Sequence, residues 1–395
     1  MLDSSVDNAS MPVSVVAGSA GATTASTTAS TTASTTASTT ASTTASKAAA
    51  ATVAPAAPDG SEPIELLQMI TGMWVTQSIY VAASLGIADL LVVGDQSVAD
   101  LAQQTACNED YLYRVMRALA GSGIFTEVSS RRFALTPKAH YLRRDMPGSL
   151  RSLALTISDE WQWNCFGDLL ETVKTGQSAM QRQYGVTDTF EYLTQVKPAA
   201  GKTFDHAMTG WASSIHMAIL ESYDFSSIGS LVDVAGGHGV LMTEVLKRYP
   251  SLSGVVFDLP GVVAGALKQT LTDDVLSRCE TVGGSFFEAI PSGKDAYLLS
   301  HILHDWSDAD CLKILANIRQ AMPETGKLLV VEMLIPSGDA PHFGKLLDVT
   351  MLSIFSGGRE RTAADYTQLL AQAGFKVQRT VPTPGLVSVL EAVPA

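Results

Sequence analysis

The stretch SLVDVAGGHGVLMTEVLKRY, residues 230–249, joins a short apolar run to a helical segment through a glycine-rich turn. Gly236, Gly237 and Gly239 lie where a strand would pass into a helix, and glycine there lets the backbone approach a ligand closely. The third glycine of the nucleotide-phosphate pattern is absent, because apolar residues follow Gly239. The turn predicts a strand–loop–helix unit, and alone it fits a ligand loop or a purely structural turn.

From residue 230 to the C-terminus, short apolar runs alternate with helical segments. The strand-like runs are SLVDVAG, LSGVVFDLP, CETVGGSFF, DAYLLSHIL, GKLLVVEMLI and KVQRTVPTPGLVSVLEAV. The helical segments are VLMTEVLKRY, VVAGALKQTL, ADCLKILANIRQAM and TAADYTQLLAQAGF. Apolar strands bounded by Gly and Pro and alternating with helices predict an α/β fold, with a mostly parallel sheet covered on both faces.

Two aspartates accompany the glycine-rich turn. In VVFDLP the apolar run ends at Asp258, about 20 residues after the turn, where a carboxylate can accept hydrogen bonds from ribose hydroxyls. Because Pro260 follows, a simpler role for Asp258 as a helix cap stays open. Asp233 precedes the glycines and suits a cofactor that bears an ammonium group, while the lack of a Walker lysine argues against nucleotide hydrolysis. Loop and acid together favour a nucleoside-containing cofactor.

Residues 61–155 have helical spacing and predict a separate helical domain. We expect one helix from Val98 to Gln104 and a second from Glu109 to Ala120, the latter capped by Asn108. Two short strands should follow at 124–128 and 132–135. Two helices followed by a short hairpin are a winged-helix pattern.

Residues 1–60 differ from the rest of the chain in composition. The tetrapeptide TTAS repeats without interruption from Thr23 to Ser46, and an Ala- and Pro-rich run follows. Such a segment buries too little apolar surface to offset its ordering entropy, so we predict a disordered low-complexity tail. A glycosylated stalk is the alternative, but an export signal is missing, since the first basic residue is Lys47.

The 395 residues allow two domains, and a formal charge of −13 disfavours general binding to nucleic acid or anionic membranes. The apolar stretch at 64–91 is broken by polar residues and predicts buried helices rather than a membrane span. Four cysteines match no zinc or C-x-x-C spacing. We therefore expect reduced thiols and a cytoplasmic location.

Several motifs occur in an order and spacing typical of one enzyme family. They are LVDVAGGHG, VVFDLPGVV, VGGSFFEAIP, HILHDWSDADC, VVEMLI and GGRERTAADYTQLLAQAGF. Over residues 61–395 the chain resembles the cation-independent, S-adenosylmethionine-dependent O-methyltransferases that act on small, usually aromatic, hydroxyl compounds. The resemblance implies a Rossmann-like catalytic domain at 156–395, a winged-helix dimerisation domain at 61–155, a homodimer, and S-adenosylmethionine as cofactor.

The resemblance places the cofactor at the glycine-rich turn, beside Asp233. It implies cofactor contacts from Gly236, Gly237, Asp258, Leu259, Ser285, Phe286 and Ser300. Three positions depart from the family pattern. Ser285 stands where the family usually has Asp, Ser300 stands at a position commonly held by Lys, and Ala235 replaces the first glycine of the turn.

The segment HILHDWSDADC contains two histidines three positions apart. We place His304 at the end of the strand DAYLLSHIL, at the edge where open parallel sheets bind ligands. Methyl transfer to a phenol of pKa about 10 needs one base, and histidine can take the proton. The resemblance makes His304 that base, with Glu332 and Glu360 as orienting carboxylates and Asp305 facing substrate or supporting the loop. Alternation along the strand puts His301 on the opposite face, so we expect neither a role for His301 nor a metal site.

Aromatic and methionine side chains suggest the wall of an acceptor pocket, because ligand pockets are lined mostly by such residues. They are Trp161, Trp163, Phe166, Met208, Trp211, Met351 and Phe355. By spacing alone these residues fit the hydrophobic core equally well. They point to a flat or apolar acceptor, and the resemblance implies that it is a small hydroxylated molecule.

The competing hypothesis is a winged-helix transcriptional regulator with a ligand-sensing domain. Its footprint on nucleic acid would be Arg114, Arg117, Arg131, Arg132, Arg143 and Arg144. The overall acidity, and two acids at the start of the second predicted helix, would repel phosphates. A third hypothesis keeps S-adenosylmethionine but drops methyl transfer, and the combination of His304, Glu332 and Glu360 argues against it.

Overall fold

The computed structural model describes residues 60–186, 188–264 and 273–395. All of these belong to one unit, Gly60–Ala395. The predicted disordered tail lies outside the described residues except for Gly60. The predicted helix VVAGALKQTL lies partly outside them as well.

The front of the described chain is helical and ends in a small sheet. Its helices are α1 (Glu62–Ile70), α2 (Gly72–Leu85), α3 (Ile87–Leu90), α4 (Val98–Thr105) and α5 (Glu109–Gly121). Its strands are β1 (Gln96–Ser97), β2 (Phe125–Ser129) and β3 (Arg132–Leu135), which form an antiparallel sheet in the order β1-β3-β2. The predicted pair of helices and the hairpin are confirmed. So is the cap, since the Asn108 side chain accepts a hydrogen bond from the backbone N–H of Tyr111 at 3.1 Å.

The apolar helices at the front are less buried than the sequence suggested. The prediction of helices at 64–91 is confirmed, but the prediction that they are buried is wrong for α1, which has no buried residue. Its apolar side chains, with Trp74 at the start of α2, face outward. Within the described ranges no single helix is long and apolar enough to cross a bilayer, although Glu62–Leu85 and Ile87–Val93, bent by 55°, together meet that length and composition.

A helical layer connects the front to the large sheet. It contains α6 (Arg151–Ile157), α7 (Glu160–Gly167), α8 (Leu169–Thr175), α9 (Ala179–Tyr184), α10 (Thr189–Glu191) and α11 (Pro198–Ser222). The long helix α11 begins with proline at its first position, where the missing N–H costs no hydrogen bond. Helix α6 spans the predicted domain boundary at 155/156, and that boundary stays a prediction.

The rest of the chain alternates strands and helices. The strands are β4 (Ser230–Val234), β5 (Ser253–Asp258), β6 (Cys279–Gly283), β7 (Ala296–Ser300), β8 (Lys327–Glu332), β9 (Phe375–Pro382) and β10 (Ser388–Pro394). The helices are α12 (Val240–Arg248), α13 (Pro260–Val263), α14 (Asp273–Leu276), α15 (Asp308–Ala321), α16 (Phe343–Ile354) and α17 (Ala363–Gln372). The sheet order is β6-β5-β4-β7-β8-β10-β9, parallel except that β10 runs antiparallel to both neighbours. The predicted mostly parallel α/β fold is confirmed.

Apolar side chains cover both faces of this sheet. On one face Leu231 and Leu298 belong to a cluster that includes residues of α11 and α12. On the other, Val232 and Leu299 belong to a cluster that includes residues of α15 and α17. Because neighbouring parallel strands end at the same edge, the loops after β4, β5, β7 and β8 are brought together there.

Strand β7 is shorter than the sequence predicted. It ends at Ser300, and His301 adopts a left-handed conformation with φ of 55°. His304 is therefore not at a strand end but in a 3₁₀ turn, Leu303–Asp305. The argument from strand alternation that separated His301 from His304 was wrong, because the chain turns before it reaches either side chain. Their ring centroids are 5.5 Å apart.

Candidate active site

The glycine-rich turn occupies residues 235–239, between β4 and α12. Ala235, Gly237 and Gly239 all have positive φ, a conformation that is costly only for the alanine. The backbone N–H of Ala235 donates to the carbonyl oxygen of Phe257 at 2.7 Å, which anchors the strained residue. A side chain at Gly236 would place its Cβ 2.7 Å from the carboxyl group of Asp233. Glycine is needed at this position because the turn packs directly on Asp233.

Asp233 and Asp258 form an acidic pair at the turn. Burial, helped by the charge of Asp258, raises the pKa of Asp233 to about 7. Burial also raises the pKa of Asp258, although its carboxylate accepts from the backbone N–H groups of Gly237 at 2.9 Å and Leu259 at 2.6 Å. A bound cation would lower both raised pKa values, since an opposite charge favours the ionised carboxylates. The pair therefore fits a ligand that carries an ammonium or sulfonium group.

The other predicted cofactor residues lie along the same edge of the sheet. Leu259 follows β5 and is 55% exposed, and Ser300 is the last residue of β7. The Ser285 hydroxyl accepts a hydrogen bond from the backbone N–H of Phe287 at 3.3 Å. Phe286 packs edge-on against Trp306, with ring centroids 5.8 Å apart. These residues lie at or just after the carboxyl ends of neighbouring strands, and their cofactor contacts stay a prediction.

His304 lies in a buried cluster of carboxylates. Its Nδ1 is 2.7 Å from Oε1 of Glu360, and its Nε2 is 3.5 Å from Oδ1 of Asp305. Burial alone would lower the pKa of His304, but Asp305, Glu332 and Glu360 together raise it to about 10. Burial raises the pKa of Asp305 to about 6, against the pull of His304. Since Glu360 engages Nδ1, Nε2 is the nitrogen that can exchange a proton with a ligand.

Glu332 supports the backbone of the turn. Its Oε1 accepts from the backbone N–H groups of Ile302 at 3.2 Å and Leu303 at 2.9 Å. The other oxygen, Oε2, is buried and has no hydrogen-bond partner in the part of the chain that the structure describes. Burial raises the pKa of Glu332 to about 7. Glu332 thus supports His304 by binding the backbone of its turn, whereas Glu360 contacts the imidazole ring directly.

Arg361, which sequence reasoning missed, ties this turn to the segment that carries Glu360. The side chain is 2% exposed and donates to the carbonyl oxygens of Leu303 at 2.8 Å and Trp306 at 3.0 Å. It also binds the carboxylate of Asp308 at 2.7 Å. The arginine directly follows Glu360 in GGRERT, so its place next to a candidate catalytic acid was the available signal.

Three donor atoms in this cluster could in principle hold a metal. Atoms of His304, Glu332 and Glu360 all lie within 4.8 Å of one another. However, one nitrogen of His304 already faces Glu360, and one oxygen of Glu332 binds the backbone. The prediction that the site uses no metal stays a prediction.

The predicted acceptor residues divide into two groups. Trp161, Met351 and Phe355 are buried in one apolar cluster, and Phe355 also borders a cavity of about 180 Å³. The cavity is further lined by Asp188, Phe190, Asp305, Trp306, Asp310 and Ser356. Asp305 thus connects the cavity to Nε2 of His304.

The remaining predicted acceptor residues lie elsewhere. Trp163 and Phe166 are half-buried on α7. On α11, Met208 is 37% exposed and Trp211 stacks near Phe343, with ring centroids 5.5 Å apart. The structure does not bring these four to the cavity, and their acceptor role stays a prediction.

Comparison with known proteins identifies the family. A family model described as an O-methyltransferase domain matches residues 166–376. A second, described as an O-methyltransferase dimerisation domain, matches residues 67–145. The chain belongs to the O-methyltransferase family. The methyltransferase uses S-adenosylmethionine, and the acidic pair at its glycine-rich turn suits that cationic cofactor.

The relatives that resemble the methyltransferase align with most of its length. The phenazine O-methyltransferase PhzM of Lysobacter antibioticus is 42% identical over 337 residues, which cover 85% of this chain and 98% of the relative. The crystal structure of LaPhzM matches with a TM-score of 0.80 and 41% identity, covering 85% of this chain and 99% of that one. The O-methyltransferase NcsB1 from neocarzinostatin biosynthesis, solved with S-adenosylmethionine and 2-hydroxy-5-methyl naphthoic acid, has a TM-score of 0.72 and 31% identity, with 83% and 98% coverage.

Proposed function

We propose that this methyltransferase transfers a methyl group to a hydroxyl of a small aromatic or polyketide-like acceptor, with His304 as the general base. The observation that carries the proposal is the 2.7 Å contact between Nδ1 of His304 and Glu360, which leaves Nε2 directed to other partners. The relatives, a phenazine O-methyltransferase and an enzyme crystallised with a naphthoic acid, support a fused aromatic acceptor.

The acid–base chemistry follows from the surroundings of His304. When bound, S-adenosylmethionine supplies an electrophilic methyl group on a sulfonium. Nε2 of His304 takes the proton of the acceptor hydroxyl, while Glu360 holds the ring and stabilises the imidazolium that forms. The raised pKa of His304, about 10, is close to the pKa of about 10 of a phenol, so proton transfer between them is nearly balanced.

The cofactor site in this proposal is formed by the predicted residues at the glycine-rich turn. Asp233 and Asp258 provide negative charge, and Gly236 and Gly237 allow close approach of the backbone. The buried acidic pair supports this assignment, because burial raises the pKa of Asp233 to about 7 and a cationic ligand would favour the ionised carboxylates. Leu259, Ser285, Phe286 and Ser300 border the same site.

We also propose that the chain works as a homodimer, with a dimerisation part at 61–155 and a catalytic part at 156–395. The two family matches, 67–145 and 166–376, support this division. The exposed apolar side chains of α1 support an association surface. A cytoplasmic location is supported by four free cysteines.

The regulator hypothesis loses support from the arrangement of the arginines. Arg131 pairs with Glu109 and Asp110, and Arg132 pairs with Asp95. Arg143 and Arg144 pair with Asp145 and Asp89 respectively. Basic groups that are already paired with carboxylates offer little charge for phosphates.

The test is methyl transfer from S-adenosylmethionine to a panel of hydroxylated phenazines, naphthoates and benzoates, by wild-type protein and His304→Gln. We expect transfer by the wild type, a loss of about 10²- to 10⁴-fold in kcat for the variant, and equal calorimetric affinity for S-adenosylhomocysteine. Glutamine is chosen because it can still hydrogen-bond to Glu360. Equal turnover by both proteins would overturn His304 as the base.

A further inference from the structure

Two buried ring nitrogens near the reaction site have no hydrogen-bond partner among the described residues. They are Nε2 of His301 and Nδ1 of His216. His301 directly follows β7, and His216 lies on α11. The mechanism above uses neither histidine. Buried polar atoms are almost always hydrogen-bonded in folded proteins, so two such nitrogens on neighbouring side chains point to a ligand-binding role.

His301 lies close to the glycine-rich turn and to His304, and His216 lies close to His301. Leu299 of β7 pairs with Val234 of β4, so the residues just beyond these strands, among them His301, lie beside the turn. The His301 ring is 5.5 Å from the ring of His304. His216 is close enough to His301 to lower its pKa. The pKa of His216 is in turn influenced by Glu244 on α12, the helix that begins at the turn.

Both imidazoles are neutral and can donate. Burial lowers the pKa of His301 to about 3 and that of His216 to about 4. A neutral imidazole carries one N–H donor and one acceptor. His301 also adopts a left-handed conformation, and its backbone N–H donates to the carbonyl oxygen of Val331 at 3.0 Å. Strained backbone of this kind is concentrated at binding sites.

The backbone of the turn has few donors to spare for an anion. The N–H groups that already donate within the protein are those of Ala235, Gly236, Gly237 and Gly239. The side chains that surround the turn and the base are mainly acidic, as described for Asp233, Asp258 and Glu332. A carboxylate that enters this region needs N–H donors, and the two orphaned imidazoles can supply them.

We propose that His216 and His301 form a carboxylate subsite at the methyl-transfer centre. Its ligand is a carboxylate, either the methionyl carboxylate of S-adenosylmethionine or a carboxylate on an aromatic acid acceptor. The subsite rests on the cofactor and acceptor sites proposed above, and it adds a contact that neither includes.

The cofactor arm of the test compares two ligands by calorimetry on the full chain. They are S-adenosylhomocysteine and its decarboxylated analogue. The variants are His301→Gly, which removes the ring at a position where glycine suits the backbone, and His301→Asn, which also tolerates that backbone and keeps an N–H donor. We expect His301→Gly to bind S-adenosylhomocysteine about tenfold more weakly, as for one lost hydrogen bond, and to bind the decarboxylated analogue unchanged. His301→Asn should recover most of the loss.

His216 gives a second, independent pair of variants. His216→Leu should repeat the loss for S-adenosylhomocysteine, and His216→Gln should restore it in part. Because His216 lies on a helix, these variants keep the proposal testable if changes at His301 prevent folding. Thermal melting would detect such a failure to fold.

The acceptor arm measures KM for a hydroxylated aromatic acid and for its methyl ester. If the acceptor supplies the carboxylate, both His301→Gly and His216→Leu raise KM for the acid about tenfold, leave KM for the ester unchanged and do not alter S-adenosylhomocysteine affinity. A carboxylate-specific effect in either arm supports the subsite and shows whether the cofactor or the acceptor supplies the carboxylate. Equal weakening of the acid and neutral forms, or no effect in both arms, would overturn it. Failure of the wild type to bind S-adenosylhomocysteine would instead refute the cofactor site itself.

Discussion

Among single side chains, Glu332 and Glu360 act on His304 in different ways. Glu360 contacts the imidazole directly, whereas Glu332 accepts two backbone N–H groups that open the turn carrying His304. Glu332 has a pKa raised to about 7 by burial, so it is partly protonated at neutral pH. Its function in the turn therefore depends on an acceptor oxygen rather than on a full negative charge.

Variants of Glu332 separate the acceptor oxygen from the charge. Glu332→Gln keeps an oxygen for both N–H groups, and we expect kcat to fall less than about fivefold. Glu332→Ala leaves the two buried donors unpaired, at a cost of about 1–3 kcal/mol each. It should lower the melting temperature, and it should lower kcat by a larger factor than Glu332→Gln does. Thermal melting and steady-state kinetics on the two variants provide the comparison. Equal losses for Gln and Ala would show that the charge of Glu332 matters instead.

The sequence predicted some of the side chains in this site and missed others. His304 and Glu360 were found because they belong to motifs, and the structure brings them into contact. His301 was set aside on a strand alternation that stops at Ser300, and a single sequence carries no sign of where a strand gives way to a left-handed turn. His216 was missed because one histidine on a long helix has no local signal, and only packing brings it near His301.

Among secondary-structure elements, the 3₁₀ turn Leu303–Asp305 depends on the segment 357–361. The backbone N–H of Arg359 donates to the carbonyl oxygen of His304 at 2.8 Å. A Cβ at Gly358 would lie 3.0 Å from that same oxygen, so the two segments touch through their backbones. The Arg361 guanidinium adds hydrogen bonds to the carbonyl oxygens of Leu303 and Trp306. The position of His304 relative to Glu360 is thus set by two segments that are distant in sequence.

Substitution of Arg361 tests it as a positioning residue. Arg361→Met leaves the carbonyl oxygens of Leu303 and Trp306 without their donor, and we expect the free energy of unfolding to fall by about 2–4 kcal/mol. Arg361→Lys keeps the charge but loses the fork that reaches both oxygens. We expect kcat to fall about 10- to 100-fold in both variants, with S-adenosylhomocysteine affinity unchanged.

The pH profile distinguishes positioning from a general loss of stability. If Arg361 sets the His304–Glu360 contact, the pH at which kcat rises should move to lower values in Arg361→Lys, because the carboxylate no longer supports the imidazolium as well. A variant with lower stability but an unshifted profile would contradict the positioning role.

Element types were predictable from the sequence, and some of their ends were not. The strands β4, β5 and β8, and the helices α5, α15 and α17, follow continuous or periodic apolar patterns that local reasoning can detect. The ends of β7 and the turn after it depend on Glu332 and Arg361, which lie 30 or more residues away in the chain. Contacts of that kind leave no local pattern.

For the whole chain, the exposed apolar side chains of α1 and the start of α2 are the main feature that a single copy leaves unexplained. They include Ile64, Leu67, Met69, Ile70 and Trp74, which are 57–77% exposed. Monomers rarely expose contiguous apolar surface of this kind. The family match to a dimerisation domain, which begins at residue 67, covers most of this surface.

Trp74→Ser should weaken dimer formation, because a large exposed aromatic at an interface commonly contributes 2 kcal/mol or more, roughly 30-fold in affinity. Sedimentation velocity over a concentration series would measure the change. Leu170→Ser is the matched control, since Leu170 is 69% exposed but lies on α8. A wild-type monomer, or equal dissociation of both variants, would contradict the proposed surface.

The pH dependence of kcat/KM tests the proposal that His304, supported by Glu360, is the base of methyl transfer. The pKa of His304 is raised to about 10, so the neutral base becomes more abundant as pH rises, and kcat/KM should increase between pH 7 and 10. Glu360→Gln removes a carboxylate that supports the imidazolium. The rise should then move to lower pH by about one unit or more while the maximum rate falls. If kcat/KM instead increases at the same pH in the wild type and in Glu360→Gln, the increase comes from ionisation of the acceptor. That result would overturn the role of His304 as the base.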